Sequence, residues 1–61
     1  MTDEGLSIVA RILKELSGCK YVYRSIASGA YEACIQYYGM TKPKEDREVI
    51  VDKVMEVLGR Y

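Results

Sequence analysis

The apolar positions divide the chain into three stretches. Placed on a helix at about 100° per residue, Leu6, Val9, Ile12, Leu13 and Leu16 share an arc of about 120°, with Arg11, Lys14 and Glu15 opposite. That spacing predicts an amphipathic helix over about residues 3–17. Thr2 can cap it, Asp3 and Glu4 suit the positive end of its dipole, and Gly18 offers a left-handed residue to stop it. The last stretch repeats the pattern: Ile50, Val51, Val54, Met55, Val57, Leu58 and Tyr61 form one face and Glu48, Asp52, Lys53, Glu56 and Arg60 the other. With Thr41 or Lys42 at the cap, Pro43 in the first turn and Glu45 and Asp46 behind it, this helix is predicted over about residues 42–59.

The middle stretch is less plain. KYVYRSI has the aromatic and β-branched composition of a strand, but a single strand needs a partner. ASGAYEACIQYYG is helical in composition and ends in a glycine, so one helix over about residues 20–38 accounts for the whole stretch. Arg24, Ser25, Ser28, Glu32 and Gln36 make its polar stripe, which leaves roughly 200° apolar or small. That arc splits in two. Val22, Ile26, Gly29, Ala30, Ala33 and Tyr37 form a half whose small residues allow close helix approach, assigned to the chain's own first and third helices. Tyr23, Ala27, Tyr31, Cys34 and Tyr38 form the other, a tyrosine ladder with small residues between the rings. Tyrosine joins a large apolar body to a hydroxyl that wants a partner, which favours surfaces buried in complexes.

The expected fold is therefore all-α, a three-helix bundle in a single domain, completed by homodimerisation through helix 2. The expected interface is the ladder itself: Tyr23, Tyr31 and Tyr38 as anchors, Ala27 and Cys34 as hollows, and Arg24 and Glu32 as rim groups that set the register. Length supports this. A chain of 61 residues removes only about 60 % of its unfolded surface from water on folding, so a second apolar face is hard to hide internally.

Charge adds one competing reading. Nine basic and nine acidic side chains cancel, but residues 18–44 carry a net +3 between two acidic flanks. Helix 1, a short SGC turn and helix 2 have helix-turn-helix spacing, with Lys20, Arg24 and Ser28 able to face a groove and Lys42, Lys44 and Arg47 to hold phosphate. A DNA-binding regulator is the alternative to a protein-binding adaptor, weakened by Glu32, the acidic third helix and the neutral total charge.

Catalytic chemistry is scarce. The absence of histidine removes the commonest general base and most catalytic zinc sites, and no phosphate-binding glycine loop or CxxC spacing occurs, so neither an enzyme nor a cofactor is expected. Cys19 and Cys34, fifteen residues apart, would lie about 22 Å apart on one helix, beyond disulfide reach. Cys34 reads as a packing residue. Cys19, beside Lys20 at a helix start, is where a thiol is acidified, though no base or resolving thiol accompanies it. With no long apolar run and an N-terminus unlike a signal peptide, the expected setting is cytoplasmic, without a membrane.

Overall fold

A computed structural model describes residues 1–59, and the sequence expectations for Arg60 and Tyr61 lie outside the described residues. These residues form three helices and no strand: α1 (Asp3–Glu15), α2 (Arg24–Gln36) and α3 (Arg47–Leu58), each packed against the other two. Thr2, at the start of α1, meets Glu45 just ahead of α3, and residues 19–22 meet Met55 and Leu58 at its end. The helices thus run up, down and up.

α1 forms where its pattern placed it, but its buried face is rotated from the expected one: Leu6 is 50 % exposed and Leu13 only partly buried, while Ile8, outside the expected arc, is fully buried. The Thr2 hydroxyl accepts the Gly5 N–H at 3.1 Å, and Gly18, at φ 89°, turns the chain once the helix has ended. Gly5, Ile8, Val9 and Ile12 are its buried residues, and Leu16, which caps its end, is buried as well.

The two other helices begin later than predicted. Residues 20–23 stay out of α2, and Tyr23, with an extended φ of −94° and ψ of 158°, is its cap without a side-chain bond. The β-branched and aromatic composition of KYVY disfavours helix there, and Val22 packs against the core. At the far end the Met40 N–H donates to the Cys34 carbonyl at 3.1 Å, past Gly39 at φ 62°.

α3 starts at Arg47 rather than near residue 42. Pro43 is buried outside the helix, and Glu45 turns back to α1 instead of entering a first turn. Proline disfavours helical backbone at Lys42, and the carboxylate of Glu45 is taken up by Thr2, which donates its N–H at 2.8 Å and its hydroxyl at 2.9 Å. Gly5 makes room for this clasp: a Cβ there would lie 2.5 Å from Glu45 Oε2 and 2.8 Å from Met1 Cγ.

The core is shared among the helices. It consists of Ile8, Val9 and Ile12 from α1 with the cap residue Leu16, Ala27, Tyr31 and Cys34 from α2, and Ile50, Val51 and Val54 from α3. Ile12, Ala27, Cys34, Ile50 and Val54 have no exposed surface.

The clasp makes stability depend on pH. The N–H of Thr2, first among the causes, holds the Glu45 carboxyl below its ordinary pKa, against a smaller opposing effect of desolvation. A depressed folded-state value means that the stabilisation is fully present above the unfolded pKa of about 4.3 and disappears as pH falls through the lower folded value. Thermal melts of the wild type and Glu45→Gln should differ at neutral pH and converge under acid conditions. A difference independent of pH would show that the carboxylate charge is not what Thr2 holds.

Candidate interaction surface

The tyrosine ladder is divided by the fold. Its middle, Ala27, Tyr31 and Cys34, lies in the core, with Tyr31 only 3 % exposed. Its ends, Tyr23 and Tyr38, are 68 % and 51 % exposed. The three central residues are therefore not available on a free face, and the expected continuous ladder is corrected to two separated rings. Of the half assigned to the chain's own helices, Val22 and Ala30 do pack against the core, while the others turn outward: Tyr37 is 81 % and Ile26 43 % exposed, Gly29 is exposed and Ala33 half-buried.

Volume explains this exchange of faces. Of the three rings of the ladder half, Tyr31 stands at the centre of α2, flanked by Ala27 and Cys34, so a ring fills the space between α1 and α3 while the small neighbours admit their side chains. The other half is small at its centre and large only at its ends, and would leave the middle of the bundle unfilled. Both halves are apolar, so periodicity alone does not separate them. The size of the central residue was the signal available in the sequence.

The expected rim groups are engaged inside the chain. Arg24 donates to Glu48 at 2.6 Å and pairs with Asp52, and Glu32 pairs with Arg47, so both link α2 to α3. Hydrogen bonds from Arg24 to Glu48 and then Asp52 raise the pKa of the guanidinium further. On the α1 side Arg11 lies 4.4 Å from the centroid of the Tyr38 ring and pairs with Glu15 at 2.7 Å, shielding part of that ring.

The residues of the DNA reading separate into two groups. Lys42, Lys44 and Arg47 meet along one cleft at the C-terminal end of α2. Lys20 is at the opposite end, 5.8 Å from the centroid of the Tyr21 ring, and Arg24 is paired with two carboxylates. Ser28 is half-buried. The link between α1 and α2 spans residues 16–23, longer than the three or four residues usual in a helix-turn-helix. The six positions do not form one stripe.

Both thiols are free, Cys19 exposed and Cys34 buried. Cys19 precedes α2 by several residues, so its expected place at a helix N-terminus is not found. Burial raises the pKa of the Cys34 thiol. Among the described residues no group of three or more Cys, Asp or Glu side chains could hold a metal ion, and no helix is long and apolar enough to cross a membrane. In comparisons with known proteins, no family model, curated protein or solved structure matches the chain.

The two cysteines give a direct check on the orientation of α2. An alkylating reagent at neutral pH should modify Cys19 alone in the folded protein and Cys34 only after denaturation, read by peptide mass. Modification of Cys34 at a rate close to that of Cys19 would mean that the ladder half faces solvent.

Proposed function

We propose that this chain is a small helical protein-binding module that pairs with a second copy of itself through the outer face of α2, acting as an intracellular adaptor without catalysis. Ile26, Gly29, Ala30, Ala33 and Tyr37 fall within about 100° of that helix and carry no charge. The observation that carries the reading is Gly29. It sits in the middle of a helix, its φ is not positive, and a Cβ added there would meet nothing within 4 Å. Glycine at such a position costs about 1 kcal/mol relative to alanine, and neither a turn nor a neighbour within the monomer requires it. Close approach of another backbone is a use that the monomer does not supply.

A second copy suits this face. Two antiparallel α2 helices crossing between Ala30 and Ala33 would bring small residues together at the centre and set Ile26 of each chain against Tyr37 of the other at both ends. An uncharged strip on a chain of zero formal net charge brings no like charges face to face. Covering Tyr37 and Ile26 removes apolar surface that the monomer leaves in water.

Light scattering coupled to size-exclusion chromatography tests the reading. The wild type should show a mass that rises with concentration towards that of a dimer. Gly29→Gln should remain monomeric while melting at the same or a higher temperature, because glutamine is the better helix former. A wild type that stays monomeric up to about 1 mM, or a Gly29→Gln variant that associates as well as the wild type, overturns it.

A further inference from the structure

We propose that two copies of this chain select each other in one antiparallel register through reciprocal hydrogen bonds, Ser25 of each chain meeting Gln36 of the other. The inference rests on the pairing through the outer face of α2. It adds what makes the partner a second copy rather than any apolar helix.

The outer face reads alike from either end. About a centre between Ala30 and Ala33, its residues fall into pairs at similar distances on the two sides: Gly29 with Ala33, Ile26 with Tyr37, and Ser25 with Gln36. Small residues stand at the middle and large ones at the ends, which is the pattern a two-fold axis across an antiparallel helix pair requires. At about 100° per residue, Ser25 and Gln36 lie within about 20° of each other, on the same edge of the strip and roughly 80° from its middle. The axis therefore brings Ser25 of one chain beside Gln36 of the other, twice. A shallow crossing of about 20° keeps positions this far from the centre in reach.

Both side chains are available. Ser25 and Gln36 are exposed and enter none of the side-chain hydrogen bonds among the described residues. Their polar neighbours on α2 are engaged, Arg24 by Glu48 and Asp52 and Glu32 by Arg47. The chemistry matches, since a hydroxyl donates and accepts and the glutamine amide offers a carbonyl and an NH2. Such a neutral pair adds little affinity. Its effect is selective, because a partner or register that covers these groups without satisfying them is penalised. A parallel pair sets Ser25 against Ser25 and Gln36 against Gln36 and crowds the two Tyr37 rings at one end. A slip of one helical turn drives Tyr37 onto Gly29.

The test uses two double variants of the full chain with unchanged net charge: Ser25→Lys with Gln36→Glu, and Ser25→Glu with Gln36→Lys. Both sites are exposed, so each variant should keep the circular dichroism of the wild type. In the antiparallel register each variant places opposite charges at both contacts, and by light scattering it should dimerise at least as tightly as the wild type. Mixing them, one labelled with nitrogen-15, places like charges at both contacts of a mixed pair. Native mass spectrometry should then show fewer mixed dimers than the statistical half, with a mixed-pair dissociation constant at least about tenfold above that of either homodimer. Added salt should narrow the gap. A mixed fraction at the statistical half would show that the two positions do not meet, and a fraction above half would show a parallel pair. Either result overturns the register while leaving the pairing through α2 in place. A wild type that stays monomeric removes both.

Discussion

A helix in a three-helix bundle can hide the side it turns towards its two neighbours, and α2 carries more apolar circumference than that. The other features of the molecule follow from this constraint. α1 and α3 are amphipathic in the ordinary way and each offers one face to the core. α2 must commit one of two apolar faces and leave the other in water. Packing favours the face with a large ring at its centre, so Tyr31 goes inside and the strip around Gly29 goes outside. The surface of this protein is thereby the remainder of its core.

Charge then locks the orientation of α2 without creating it. Arg24 reaches two carboxylates of α3, and Glu32 meets Arg47, so the polar stripe of α2 is laid against α3 by ion pairs along its length. These pairs are largely exposed, and exposed pairs are weak individually, so they fix rotation and register more than they add stability. They also withdraw the arginines from any role towards a partner. What remains outside along α2 is an apolar strip, while Lys42 and Lys44 stand apart from it in the loop before α3.

The loop before α3 has its own origin. Pro43, buried beside the core, and Glu45, committed to Thr2, together prevent α3 from starting earlier. The residues that would have formed its first turn instead form a wall of a cleft, with Tyr31 on another side. One aromatic residue thus belongs to both: the ring of Tyr31 fills the bundle, and the residue lines the cleft.

Local chemistry along the chain was enough to identify three helices, the Thr2 cap, the stop at Gly18 and the inert place of Cys34, because caps, glycine turns and one-sided periodicity act over a few residues. It also showed that α2 has two apolar halves and that a single domain of this length would struggle to cover both. It did not reveal which half faces inward, and it overran the starts of α2 and α3, extending helices through KYVY and through Pro43. Tertiary structure decided these points because each depends on residues distant in sequence. Glu45 leaves the predicted helix for Thr2, 43 positions away, Arg24 and Glu32 find carboxylates and a guanidinium on α3, and the rotation of α2 is set by the space that α1 and α3 leave between them. A periodic pattern gives the direction of an apolar face relative to its own axis, whereas the choice between two such faces is made by the volume they must fill.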